Sequence, residues 1–131
     1  MLTIDQLKFD DKGLIPAIVV DYSSKKVLTL AYMNEESLKI TKEKGLTCFW
    51  SRSRQELWLK GDTSGNYQHI YSIEADCDRD ALVVTVNKEG PACHLGTDSC
   101  FNDLLYLNPA NAGFTMESLM ELIEGRRTEK K

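Results

Sequence analysis

Ala81-Leu82-Val83-Val84-Thr85-Val86 carries no charge and is rich in β-branched residues, the composition of a central strand with both faces covered. Lys88-Glu89-Gly90-Pro91 supplies the turn that ends it. Working back, Tyr67 to Ala75 reads as another strand, and Leu46 to Lys60 as two more around the polar Ser53-Arg54-Gln55. Leu14 to Tyr22 and Lys26 to Met33 flank the turn-like Ser23-Ser24-Lys25 and predict a β-hairpin. Asn34 then caps a helix with Glu35 and Glu36 in its first turn, Lys42 and Lys44 near its end and Gly45 as its stop. Near the other terminus Thr115 can cap a helix in which Met116, Leu119, Met120 and Ile123 share a face, with Gly125 ending it. The pattern is that of an α+β domain: a mainly antiparallel β-sheet with a few short helices.

A length of 131 residues predicts one domain over positions 1–131, since two would leave neither with an adequate core. With 42% hydrophobic and 27% charged residues the chain should fold without a disulfide or structural metal, so a metal here needs a chemical explanation. The formal charge of −4 disfavours nucleic acid as a partner. No apolar run is long enough to span a bilayer and the start, MLTIDQLKFDDKG, lacks signal-peptide character, so the expectation is a cytoplasmic protein with no membrane partner.

Fifteen residues separate Cys77 from Cys93 and six separate Cys93 from Cys100. Structural zinc sites use close pairs about two to four residues apart, whereas a catalytic zinc takes three protein ligands and keeps a position for water. Three cysteines fit the open type; His94 could instead close a Cys₃His site, and three buried thiols without metal are the plainer alternative. Cys48, inside the apolar Leu46-Thr47-Cys48-Phe49-Trp50, reads as core. His94, beside a candidate ligand, is the better general acid or base, and His69 the better structural histidine.

In Asp76-Cys77-Asp78-Arg79-Asp80, continuation of the preceding strand would put the three carboxylates on one face and Cys77 on the other. Carboxylates that close repel unless a cation compensates, and Mg²⁺ is the economical choice. A solvated acidic turn partnered by Arg79 is the competing reading. Ser51-Arg52-Ser53-Arg54 and Lys60-Gly61-Asp62-Thr63-Ser64-Gly65-Asn66 combine cationic forks, hydroxyls and glycines, as a phosphate site would, or as an ordinary charged hairpin would. Trp50 and Trp58 read as core rather than base-stacking platforms.

These segments, together with Leu28-Thr29-Leu30-Ala31-Tyr32-Met33-Asn34, Leu57-Trp58-Leu59, Gly90-Pro91-Ala92-Cys93-His94 and Ser99-Cys100-Phe101, resemble in order the motifs of the phosphoribosyl-AMP cyclohydrolase family of histidine biosynthesis. The resemblance implies a homodimer with zinc held by Cys93 and Cys100 of one subunit and Cys77 of the partner subunit, and with Mg²⁺ on Asp76, Asp78 and Asp80. It further implies hydrolytic opening of the adenine ring of phosphoribosyl-AMP between N1 and C6, by a water that zinc acidifies toward ~7. His94 would shuttle protons, and Arg52, Arg54, Lys60, Thr63 and Ser64 would orient the phosphate-bearing arms. Asp62 and Leu95 stand where many members have Glu and Thr, which puts in doubt a hydroxyl role at position 95. Many relatives add a phosphoribosyl-ATP pyrophosphohydrolase domain; only residues 101–131 follow Cys100, so that activity is expected elsewhere. The rivals are a purine-nucleotide deaminase, whose His-x-Glu and Pro-Cys-x-x-Cys signature is missing, and a non-catalytic zinc- and phosphate-binding module.

Overall fold

Strict alternation shapes β1 (Ile15–Asp21): Ile15, Ala17, Val19 and Asp21 are buried, and Pro16, Ile18 and Val20 lie half-buried on the opposite face. The computed structural model describes residues 1–91 and 97–110. β1 pairs antiparallel with β2 (Val27–Met33), and Lys25 at φ 64° helps to close the turn between them. Asp21 fixes that turn by accepting from the Ser24 hydroxyl at 2.6 Å and the Ser24 N–H at 3.2 Å. Burial alone would raise the Asp21 pKa, but these bonds and the charge of Lys88 outweigh it and hold the carboxyl below its ordinary value.

The predicted helix is α1 (Glu35–Lys44). Asn34 Oδ1 accepts from Ser37 N–H at 2.8 Å, and Ser37 Oγ accepts from Asn34 N–H at 2.9 Å. Gly45 takes the left-handed conformation at φ 70° that ends the helix without a Cβ penalty. Thr41 Oγ donates to Ser37 O at 2.8 Å and accepts from Cys48 N–H at 2.9 Å, tying α1 to β3 (Cys48–Ser51). β3 forms a two-stranded ribbon with β4 (Glu56–Leu59), and β5 (Gln68–Ala75) and β6 (Leu82–Lys88) complete the described strands.

The main sheet runs β2-β1-β6-β5, with β1 and β6 parallel and the two outer pairs antiparallel. It is therefore mixed rather than simply antiparallel, because the chain passes through α1 and three further strands before β6 returns alongside β1. β6 is central, as its composition suggests, but only Leu82, Val84 and Val86 are buried; Val83 is 36% exposed on the outer face. Leu30 and Tyr71 continue that apolar face, and Tyr71 stacks on Tyr22 with ring centroids 4.2 Å apart. The helix expected after Thr115 lies outside the described residues.

On the inner face, Phe49 packs with Leu38 of α1 and Leu28, Met33 and Val84 of the sheet. Cys48 is buried beside it, and burial pushes its thiol pKa up. Trp58 stays 38% exposed against Phe49, so it is only partly core. Because Phe49 joins the ribbon to both other layers, Phe49→Ala is expected to cost about 3–5 kcal/mol in urea unfolding, with Phe49→Leu costing much less.

Candidate active site

Because β1 and β6 are parallel, the sheet has one end at their N-termini and another at their C-termini, and the chemistry-bearing residues divide between them. At the first end β5 stops at Ala75, and Asp76 to Asp80 form a turn, not the strand continuation that alternation suggested. Arg79 adopts φ 64°, and Asp76 Oδ1 accepts from the N–H groups of Asp80 at 3.0 Å and Ala81 at 3.3 Å, so the acidic side chains build their own turn. The three carboxylates still converge: one oxygen from each of Asp76, Asp78 and Asp80 lies within 4.8 Å of the others.

Their electrostatics reflect that crowding. Hydrogen bonding to Asp78 and Asp76, and then their negative charge, raise the Asp80 pKa. Desolvation works against ionisation of Asp76, but hydrogen bonds from Asp80 and Ala81 outweigh it and lower its pKa. Three exposed oxygen ligands with mutual repulsion to relieve suit a hard divalent cation such as Mg²⁺. Cys77 sits in the same turn with its thiol exposed.

At the other end, Cys100 N–H donates to Leu28 O at 2.7 Å and Ser99 Oγ donates to Val27 O at 2.7 Å, fastening this segment to β2. The Cys100 thiol is exposed. Within one chain Cys77 and Cys100 are three strand spacings apart laterally and several residues apart along the strands, roughly 20 Å. Two sulfurs on one zinc lie within about 4 Å. A shared zinc therefore fits these thiols only across two chains. Cys93 and His94 lie outside the described residues.

The phosphate candidates also separate. Arg52 lies over the Tyr32 ring at 3.8 Å and Arg54 is 3.7 Å from Glu56, both at the tip of the β3–β4 ribbon. Lys60, Thr63 and Ser64 follow the opposite end of that ribbon, about 13 Å away along the strand. Lys60 is buried, whereas Arg52, Arg54, Thr63 and Ser64 are exposed. Gly61, at φ 95°, folds the following loop so tightly that a Cβ there would sit 2.6 Å from Tyr67 N. Near Cys100, a cavity of about 250 Å³ is lined by Asp21, Ser24, Lys26, Leu28, Lys88 and Asp98, with Lys88 Nζ 3.2 Å from Asp98. His69 pairs with Glu89 at 2.8 Å on the surface, in keeping with a structural role.

Sequence reasoning passed over Thr47 and Gln68. Both are buried, and Thr47 Oγ donates to Gln68 Oε1 at 3.0 Å. The available signal was polar side chains at the ends of otherwise apolar strands.

Residues 29–102 match the family model for phosphoribosyl-AMP cyclohydrolase. The histidine biosynthesis bifunctional protein HisIE of Caldanaerobacter subterraneus subsp. tengcongensis is 54% identical over 127 residues, which cover 97% of this chain and 62% of that protein. The phosphoribosyl-AMP cyclohydrolases of Prosthecochloris aestuarii and Chloroherpeton thalassium are 55% and 57% identical over 98 residues, 75% of this chain and 72% and 70% of theirs. The chain thus spans less than two thirds of the bifunctional relative. These matches place the chain in the cyclohydrolase class. Within that class, the chain belongs to the phosphoribosyl-AMP cyclohydrolase family. Among the described residues, no helix is long and apolar enough to cross a membrane.

Proposed function

We propose that this chain opens the adenine ring of phosphoribosyl-AMP hydrolytically between N1 and C6, in a homodimer that uses zinc and magnesium in the cytoplasm. The product is the phosphoribosyl-formimino-aminoimidazole carboxamide ribonucleotide. The observation that carries the reading is the convergence of Asp76, Asp78 and Asp80 in the turn that also presents Cys77.

Cys93 and Cys100 of one subunit would hold zinc with Cys77 of the partner subunit, an arrangement supported by the separation of Cys77 and Cys100 within one chain. The exposed apolar residues Leu30, Tyr71 and Val83 on the outer face support a second copy. A zinc held there would supply the acidification that makes water a nucleophile for C6. The phosphoribosyl group on N1 leaves the ring electron-poor, and His94 moves the proton needed at the departing nitrogen. Asp76, Asp78 and Asp80 would hold Mg²⁺, which would supply charge compensation for phosphate, while Lys60, Thr63 and Ser64 at one end of the ribbon and Arg52 and Arg54 at the other direct the two phosphates.

Purified protein supplied with Zn²⁺, Mg²⁺ and phosphoribosyl-AMP is expected to give the ultraviolet change of purine-ring opening, with no ammonia released. Ammonia would make it a deaminase. An unchanged spectrum with full metal content would leave the non-catalytic zinc- and phosphate-binding module. Cys93→Ala is expected to lose zinc retention and turnover together.

A further inference from the structure

Four cross-strand neighbours form one inward-facing row. Lys60 N–H donates to Thr47 O at 3.0 Å, Thr47 N–H donates to Gln68 O at 3.1 Å, and Gln68 lies opposite Lys88 in the β5–β6 register. Paired residues on adjacent strands project from the same face, so Lys60, Thr47, Gln68 and Lys88 share the face that holds the core. Thr47 and Gln68 are almost wholly buried, and Lys60 is 8% exposed.

This polar row is incompletely satisfied. Thr47 Oγ occupies Gln68 Oε1, but Gln68 Nε2 has no hydrogen-bond partner although Gln68 is only 1% exposed. Such a buried donor is costly to leave unpaired and favours an apolar residue unless a ligand uses it. Lys60 has no carboxylate within ion-pair distance among the described residues; its amine lies 5.5 Å from the Trp58 ring centroid. Two strand spacings, about 10 Å of backbone, separate Lys60 from Gln68, with the short Thr47 side chain between them on the same face. Lys88, already paired with Asp98, bounds the row toward the cavity next to Cys100.

We infer that Gln68 is a substrate-binding residue, its Nε2–H₂ and the Lys60 amine together receiving the oxygens of the phosphate on the AMP half of the substrate. The inference rests on the phosphoribosyl-AMP reading and adds a neutral donor, held by Thr47, beside Lys60 at the end of the ribbon away from Arg52 and Arg54. An amide donor to a phosphate is worth a tenfold to hundredfold effect, about the range of a hydrogen bond to a charged group.

The test uses Gln68→Glu, which keeps an acceptor for Thr47 but replaces the donor with a negative oxygen that Lys60 can pair. The variant should melt no lower than wild type. Its KM for phosphoribosyl-AMP should rise by about tenfold to a hundredfold while kcat stays within about threefold, and AMP affinity by calorimetry should fall by the same factor with adenosine affinity unchanged. Unchanged AMP affinity, or equal losses for AMP and adenosine, overturns the proposal. Should Gln68→Glu fail to fold, Gln68→Met is measured in the same way; failure of both to fold would make Gln68 a packing residue and also overturn it. Inactivity of the wild-type protein toward phosphoribosyl-AMP refutes the underlying reading instead, whereas an active wild type with an indifferent Gln68→Glu refutes this inference alone.

Discussion

Mixing two inactive proteins, Cys77→Ala and Cys100→Ala, is expected to restore about a quarter of wild-type specific activity. The expectation follows from the two exposed thiols lying at opposite ends of the sheet, roughly 20 Å apart in one chain, whereas ligands of one zinc must be neighbours. In the proposed homodimer, each single variant would lack one thiolate at both sites. After subunit exchange about half the dimers are mixed, and in each mixed dimer one site pairs an intact Cys100 with an intact Cys77 from the other chain while the second site lacks both. Zinc content should recover in the same proportion as activity. Cys77 and Cys100 are exposed rather than part of the buried core, so both proteins should fold. No recovery despite demonstrated subunit exchange would rule out ligation across the dimer, as would full zinc retention by either variant alone.

The elements most legible in the sequence were those specified by adjacent residues. The α1 boundaries follow from Asn34 with the acidic Glu35 and Glu36 and from Gly45, and the β1–β2 hairpin from two apolar runs around a short turn. The parallel pairing of β1 with β6 was hidden because Ala17 and Leu82 are distant in sequence and nothing local encodes which strand inserts where. At the candidate site, the carboxylate triad was recognised for a reason that the backbone does not follow. Alternation placed the three side chains on a strand face, whereas hydrogen bonds to Asp76 and the left-handed Arg79 gather them in a turn. Gln68 was illegible for a related reason: its burial and its single amide partner come from Thr47, 21 positions earlier in the chain. Residue type therefore announced the chemistry, while long-range pairing determined which groups can act together.

Asp78→Asn and Asp80→Asn are expected to separate folding from cation binding in opposite directions. In the metal-free protein the three carboxylates oppose one another, and Asp80 holds its proton more tightly because of Asp78 and Asp76. Replacing Asp78 or Asp80 by an amide removes like-charge repulsion, so the Tm without added metal should stay level or rise. Asp76 is unsuitable for this comparison, because its carboxylate also accepts the hydrogen bonds that shape the turn. With Mg²⁺ the order should reverse: a ligand that binds only the folded state raises Tm with its concentration, so wild type gains stability across the titration and the two variants gain little. Loss of an oxygen ligand and a negative charge should weaken Mg²⁺ binding at least about 100-fold, the upper end of what outer-shell substitutions cost at metal sites. Turnover should fall at limiting Mg²⁺ and recover in part at high concentration, because the remaining two carboxylates still define the site. A magnesium-induced Tm shift of wild-type size in both variants would assign the cation elsewhere and leave the acidic turn as a solvated structural feature.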